Sequence, residues 1–483
     1  MRIPFLKLEN TSLRPLLPVD VLLKIALWIE DATSFFAFLE SLGTAHARGS
    51  LDSLWQLRSA FLDRDHLWPS LHLTDQILAN HLEGLKSALF YVPHIVVLDL
   101  VDIGWLHQHV SPSTTISWEA AFPTSPSTAL VHGILVDLED WFHMWAKLSI
   151  ANLTVMRPDH NQNVRRLWTP TPAIPTLFEV LPSCHRLVRL KLECPFCLSA
   201  VFELAATSTS LIDLALVSGS VYIMGSEPRL NATHISLAMQ WLNTAPVERL
   251  RLSNVYLASD LARNVLEMFL TTLFTCPTMM NLQLSTWDLA SLDSSIFPTS
   301  FGLLRLKFSG IKLTPTTILC LCRVLRHSIA LKTFILTKLR RSQCTDAHTN
   351  NTSAFQELFE SIAQSNIKTL DVSNCRLDDT HWPQLGQSLQ RCTLESIRLD
   401  RNYITDEGAY WIARAIQANE TIHSVSLRRN TLTFKGVKEL LDINILRQVP
   451  LRALGIDPTR KISNDEKGQL HELAKLTGVD LSI

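Results

Sequence analysis

Charge is scarce in this chain: Asp, Glu, Lys and Arg make up only 18% of 483 residues, and they cancel to a net charge of −1. So even a balance gives no overall attraction to nucleic acid or to an acidic membrane surface, and neither is expected as a partner. Glycine is sparse, at 15 residues, and no Gly-x-x-x-x-Gly-Lys-Ser/Thr phosphate loop is among them, which excludes a nucleotide-binding domain of that type. No Gly-x-Ser-x-Gly, His-Glu-x-x-His or kinase catalytic set occurs either. No uncharged apolar run reaches the ~18 residues of a membrane span. The richest stretches are broken by Asp99, Asp213 and Glu267. Met1 to Asn10 lack the apolar centre of a secretion signal. Nine cysteines, an odd number without such a signal, read as reduced thiols. These absences predict a soluble protein of the cell interior, cytoplasmic or nuclear, with no catalytic residues and no cofactor.

What the chain has in quantity is apolar: 47% of its residues, enough for a large core. These residues recur on one frame, Leu-x-x-Leu-x-Leu-x-x-Asn-x-Leu. Ile367, Leu370 and Val372 with Cys375 and Leu377 fit it, as do Leu394, Ile397 and Leu399 with Asn402 and Ile404, and Ile422, Val425 and Leu427 with Asn430 and Leu432. Their starts lie 27 and 28 residues apart. Leu451, Leu454 and Ile456 continue the frame. Upstream it extends through Leu331, Leu303, Met279, Val247 and Leu211 to Leu187, and more faintly through Ile150, Leu153, Val155 and Ile95, Leu98, Leu100. In Leu-x-Leu the two leucines share one face of a strand and x the other. One strand cannot bury such a face alone, so repeats must stack. Upstream, Val255, Trp287, Ile311 and Leu339 stand where the turn asparagine would be, so those turns need other partners.

Between strands lie helical patterns. Thr405 opens one with Ala409, Ile412, Ala413 and Ile416 as its inner stripe, and Thr433 precedes another with Val437, Leu440 and Leu441. A strand, a turn and a helix in each unit resemble the ribonuclease-inhibitor-like leucine-rich repeats. That likeness implies an α/β solenoid over residues 95–462, a curved parallel sheet with outer helices. Ser463-x-x-Glu466 has capping-box spacing. A helix carrying Leu470, Leu473 and Leu476 follows and stops at Gly478, so residues 463–483 read as a terminal cap.

Residues 1–94 do not follow the frame. Leu17-Pro18 opens a helical pattern with Val21, Ile25 and Ile29 on one face. A second apolar helix runs from Phe35 to Leu42, a loop occupies Gly43 to Asp52, and a third helical part carries Trp55. Leu17, Pro18, Asp20, Val21, Ile25 and Ile29 fall where an F-box has its opening Leu-Pro-x-Glu-Leu and following apolar positions. The segment 15–42 thus resembles an F-box, the helical module that docks on the Skp adaptor of cullin–RING ubiquitin ligases. The resemblance implies a Skp-type adaptor and cullin as partners, with Leu17, Pro18, Val21, Ile25 and Ile29 at the adaptor surface and a target protein on the repeats. The alternative is a repeat scaffold without a ubiquitin link, its N-terminal helices acting as a cap.

The outward x positions carry Arg189 and Lys191, Arg249 and Arg251, Arg305 and Lys307. Strands spaced ~4.8 Å apart would align them in a basic stripe on the concave face. An acidic or phosphorylated protein segment is the expected target, because arginine forks match carboxylate and phosphate. Cys194-Pro195-Phe196-Cys197 has the spacing of a metal or redox pair but lacks a second ligand pair and reads as structural, with Cys197 in an apolar place. His107 and His109 read as loop residues. Asp137, Glu139, Asp140 and His143 read as the solvated face of a helix whose other face is Trp141, Phe142 and Trp145.

Overall fold

The computed structural model describes residues 19–61, 63–99, 102–123, 125, 128–156, 173–193, 196–219, 227–340, 347–457 and 462–483. The chain divides into two units, Met1–Leu190 and Lys191–Ile483.

The first unit begins with helices Val19–Leu27, Ala32–Ser41 and Asp52–Leu57. Asp31 starts the second: its carboxylate accepts from the Ser34 amide at 2.8 Å, satisfying a donor that the helix itself leaves free. Gly43 to Asp52 is not a simple loop, because Thr44 caps a short helix, Ala45–Arg48. Phe35 and Trp68 stack at 4.0 Å, and the Trp68 indole donates to the Ile29 carbonyl at 2.7 Å, so these helices hold to the chain that follows. A parallel sheet then runs through Ser70–Thr74, His94–Asp99, Thr115–Trp118 and Ile150–Val155. It starts ahead of residue 95, inside the segment read as helical. Leu71, Ile95 and Ile116 stand side by side in register and are fully buried.

The frame also shifts in this unit. Ile95 and Val97 point inward, while Leu98 is 38% exposed. The reason is alternation: Ile95 already lies in the strand, so its inward mate is two residues on, not three. Leu100 lies outside the described residues. His107 and His109 sit on helix Gly104–His109 rather than in a loop. On Leu138–Ala146, Trp141, Phe142 and Trp145 are buried, and Trp118 meets Trp141 and Trp145 edge-on at 6.0 and 5.9 Å. Glu139 and His143 face solvent 3.7 Å apart.

The second unit is a long parallel sheet through Asp213–Val217, Arg249–Ser253, Asn281–Ser285, Arg305–Ser309, Thr333–Thr337, Thr369–Asp371, Ser396–Arg398, Ser424–Ser426, Ala453–Gly455 and Asp480–Ser482. Leu214, Leu250, Leu282, Leu306, Phe334 and Leu370 form one register row, continued by Ile397, Val425 and Leu454, and none is more than 1% exposed. Each such side chain contributes roughly 1.5–3 kcal/mol. Helices such as Arg263–Thr275, Pro315–His327 and Asp406–Ala418 flank the sheet. Ala409, Ile412, Ala413 and Ile416 are fully buried as the inner stripe of the last of these.

The turns explain how one sheet tolerates two turn chemistries. Downstream, the Asn402 side chain accepts from the amides of Cys375 and Leu377 at 3.0 and 3.1 Å and donates to the Val372 carbonyl at 3.1 Å. Upstream, buried Val255, Trp287 and Ile311 replace the asparagine. In both sets of turns the chain takes a left-handed residue just before that position, upstream at Asn254, Thr286, Gly310 and Lys338 and downstream at Asn374, Arg401 and Arg429. The turn amides then reach the next strand: Thr286 to the Ser309 carbonyl at 3.0 Å, Gly310 to that of Thr337 at 2.8 Å. The Trp287 indole closes the Val255 carbonyl at 2.7 Å. At the C-terminus, the Ser463–Glu466 capping box and left-handed Gly478 bound helix Asn464–Thr477 as expected. Leu470 is buried but Leu476 is 85% exposed, and the further strand Asp480–Ser482 covers the last repeat.

Candidate interaction surface

The outward face of the second unit's sheet carries two rows. Arg249 is in register with Asn281 and Arg305; Arg251 is in register with Gln283 and Lys307. The cations therefore stand on alternate strands, separated by the neutral strand Asn281–Ser285. Ion pairs thin the row further: Arg249 lies 3.6 Å from Asp213, and Lys191 lies 3.0 Å from Glu193. Arg189 is exposed and belongs to the first unit, on strand Arg189–Leu192 at the division. The six residues are thus not one uniform stripe.

Four cations do converge. Arg251, Lys307, Lys338 and Arg340 line a cavity of about 370 Å³ at the C-terminal ends of these strands. Ser253, Ser285, Thr286 and Ser309 complete much of its wall, and among the described residues no carboxylate lines it. Ser253 is held by Gln283 Nε2 at 2.9 Å and Arg251 Nε at 3.3 Å; Ser309 accepts from the Thr337 hydroxyl at 3.0 Å. Lys307 is half-buried. Burial pushes its pKa down, and the charges of Arg251, Arg305 and Lys338 push the same way, with Asp371 opposing. The two cations that the frame did not pick out, Lys338 and Arg340, flank the turn position of Leu339. Their signal in the sequence was cationic side chains on both sides of a turn read only for its missing asparagine.

In the first unit, helix Val19–Leu27 turns Leu22 and Ala26 inward, 5% and 0% exposed. It leaves Val21, Ile25, Leu27 and Trp28 outside, Trp28 at 85%. Val21 and Ile25 are one helical turn apart and share a face; Trp28 follows in the turn just past the helix, its amide bonded to the Ile25 carbonyl at 3.1 Å. Ile29 is half-buried. Leu17 and Pro18 lie outside the described residues.

Cys197 is exposed at the start of helix Leu198–Thr207 rather than in an apolar place, because the helix turns Leu198 and Val201 inward instead. Cys194 and Pro195 lie outside the described residues. Cys322 is buried on Pro315–His327, and burial raises its thiol pKa to about 12, far from a reactive thiolate. Among the described residues no group of His, Cys, Asp and Glu is placed to hold a metal ion, and no helix is long and apolar enough to cross a membrane.

The family profile described as Leucine Rich repeat matches residues 390–413, the segment carrying Leu394, Ile397, Leu399 and Asn402. The chain contains leucine-rich repeats. Over 83 residues, 17% of this chain, it is 34% identical to NACHT, LRR and PYD domains-containing protein 5 of Bos taurus. Over 80 residues, 16% of this chain, it is 35% identical to NACHT, LRR and PYD domains-containing protein 4B of Mus musculus. These matches span 8% and 9% of those relatives' own lengths. Among solved structures, Leiomodin-1 Actin-Binding Site 2 matches with 20% identity, covering 28% of this chain and 76% of that one at a TM-score of 0.23. Leucine-rich repeats point to protein partners in general.

Proposed function

We propose that this chain is the target-binding subunit of an SCF-type cullin–RING ubiquitin ligase, working in the cytoplasm or nucleus. It performs no bond chemistry itself. The N-terminal helices hold a Skp-type adaptor, and the outward strand face of the repeats holds a target protein.

The observation that carries the reading is the apolar face of helix Val19–Leu27. Val21, Ile25 and Trp28 face outward while the same helix already buries Leu22 and Ala26. Apolar side chains grouped on one exposed face mark interaction sites. In the sequence this helix follows the Leu17-Pro18 opening that resembles an F-box. A second reading is favoured by the Phe35–Trp68 stack and the Trp68–Ile29 bond, which tie the same helices to the chain ahead of the first strand. On that reading they only cap a protein-binding scaffold.

Affinity capture of the full chain with a recombinant Skp-type adaptor separates the two. A Val21→Asp, Ile25→Asp, Trp28→Asp variant is expected to lose the adaptor with thermal unfolding nearly unchanged, since all three side chains are outside the core. Failure of the unsubstituted chain to capture the adaptor would leave the scaffold reading.

A further inference from the structure

We propose that the cavity bounded by Arg251, Lys307, Lys338 and Arg340 binds the phosphomonoester dianion of a phosphorylated serine or threonine in a protein target. The inference deepens the target-binding reading of the strand face and rests on it for the source of the phosphate.

Among the described residues the cavity of about 370 Å³ has four cationic side chains and no carboxylate, within the ~300–1,000 Å³ usual for ligand sites. Nearby cations are paired, as Arg249 is with Asp213 and Lys312, just past strand Arg305–Ser309, with Asp288. None of the cavity's four cations makes an ion pair with a described residue. The nearest acid acting on Lys307 is Asp371, two strands away in register beyond buried Ile335. Asp371 is occupied locally by the Ser373 amide and hydroxyl at 3.0 and 2.5 Å. A half-buried lysine without a counter-ion, beside three other cations, is a mutual repulsion that a dianion would relieve. Burial first and then that crowding lower its pKa, and a bound anion would oppose both.

The wall suits phosphate in particular. Arg251 and Arg340 offer planar forks for paired oxygens, while Lys307 and Lys338 act as point charges. The hydroxyls of Ser253 and Ser309 are pre-positioned by bonds to neighbouring strands, so they need little ordering on binding. Gly310 keeps the wall open: its φ is +65°, and an added Cβ would stand 3.9 Å from Thr286 and 4.0 Å from Arg340. The source is a protein rather than nucleic acid. Among the described residues Tyr256 is the single aromatic of the lining, no stacking platform for bases. The neighbouring outward row of Arg249, Asn281 and Arg305 offers polar side chains to the residues flanking a phosphorylated one.

The test uses the full chain and four probes: inorganic phosphate, a degenerate phosphoserine peptide pool, the same pool unphosphorylated, and single-stranded RNA. Saturable phosphate binding is expected by calorimetry, with a phosphate-dependent rise in melting temperature. The phosphopeptide pool should bind at least about tenfold more tightly than phosphate, and the unphosphorylated pool should not bind. Lys307→Met and Arg251→Gln should each weaken phosphopeptide binding by about tenfold or more, while Lys475→Gln, on helix Asn464–Thr477 and outside the cavity, should change it little. Lys307→Met should also fold at least as stably as the unsubstituted chain, because a repulsion is removed. If it does not fold, the exposed pair Lys338→Gln, Arg340→Gln carries the same expectation. No phosphate binding overturns the site. Phosphate binding with no gain for phosphopeptide, or tighter RNA than phosphopeptide, overturns the protein source. Adaptor capture should be unaffected by all these variants, so failure here and failure of the ligase reading are told apart.

Discussion

Asn402 and Asn430, one repeat apart, donate to the same acceptor: their side-chain amides reach the Leu399 carbonyl at 3.0 and 2.9 Å. Asn402 also donates to the Val372 carbonyl of the preceding repeat at 3.1 Å, and Asn430 to the Leu427 carbonyl of its own repeat at 2.9 Å. Both are at least 95% buried, so every bond lost leaves a dry partner. Asn402→Ala, which orphans the Cys375 and Leu377 amides, should lower unfolding free energy by about 2–4 kcal/mol in denaturant titration. Because the two asparagines share Leu399, the double variant should cost more than the sum of the singles, with a coupling of about 0.5–1 kcal/mol. Strict additivity would mean that the carbonyl is satisfied without them.

Two helical glycines invert an ordinary rule. Replacing an exposed mid-helix glycine by alanine usually adds about 0.5–1 kcal/mol of stability. Gly468, with open space around its Cα, should follow that rule as Gly468→Ala. Gly408 and Gly436 should not. A Cβ on Gly408 would lie 2.4 Å from Asp379 Oδ1, and one on Gly436 2.3 Å from Asp406 Oδ1. These aspartates join successive repeats: Asp379 accepts from the Thr405 and Gly408 amides at 2.9 and 3.0 Å, and Asp406 from the Thr433 amide at 2.8 Å. Gly408→Ala and Gly436→Ala should each lower the melting temperature while Gly468→Ala raises it. A rise in all three would show that the aspartates move aside freely.

The sequence carried the inward row of the second unit because its leucines repeat at a spacing only a stacked strand explains. Leu250, Leu282 and Leu306 are where the frame puts them. Legibility fails where shape replaces leucine. Strand Thr115–Trp118 buries Ile116 and Trp118 and contains no leucine, and strand Ser70–Thr74 has Leu71 and Leu73 without a turn asparagine after them. The cavity was half legible. Arg251 and Lys307 stood out as outward residues, but only register shows neutral Gln283 between them. Lys338 and Arg340 join because a left-handed residue at 338 turns the chain back over the strand ends, a backbone event that side-chain periodicity does not encode. The first helix was legible as apolar on one face, but Leu22 and Ala26, which it buries, were not among the residues that pattern picked out.

A pH dependence follows from His94 in the first unit. Asn152 Nδ2 donates to the Ser117 hydroxyl at 2.7 Å, which leaves Ser117 to donate to His94 Nε2 at 2.8 Å. The Thr115 hydroxyl donates to the Pro93 carbonyl at 3.3 Å and so accepts from His94 Nδ1, 2.8 Å away. The ring is therefore neutral, with its proton on Nδ1. Burial lowers its pKa from 6.5, and Arg189 adds to the effect. Burial, with His66 and His94 nearby, lowers His72 as well. A folded pKa below the unfolded one means that the unfolded chain takes the proton first as pH falls. Stability is then full above pH 6.5 and declines from there toward the folded pKa. The melting temperature should drop between about pH 7.5 and 5.5, and His94→Gln should flatten the drop. An NMR titration of the His94 ring with a midpoint at or above 6.5 would sink the assignment.

The guanidinium of Arg447 is buried, 7% exposed, with no carboxylate bonded to it among the described residues. It donates instead to carbonyls: Ile416, Asn419 and Ile422 through its terminal nitrogens, the latter two at 2.6 Å, and Val449 through Nε at 2.8 Å. Ile416 is in the last turn of helix Asp406–Ala418, where carbonyls have no helical partner and the helix dipole is negative. A cation there closes the helix end and binds it to the strand that follows at Ile422. Burial lowers the Arg447 pKa from its usual value, with Glu420 opposing, yet arginine remains charged in proteins. The contribution should therefore be flat across neutral pH, unlike that of His94. Arg447→Met keeps much of the volume and orphans the carbonyls, at about 1–3 kcal/mol for each group left unpaired. Arg447→Lys, with one nitrogen for several acceptors, should fall between the two. Hydrogen exchange should locate the loss: amides of residues 416–422 should exchange faster in Arg447→Met, while those of strand Arg249–Ser253 should not change. Uniform acceleration across both segments would show that Arg447 acts on global stability rather than as the cap of this helix.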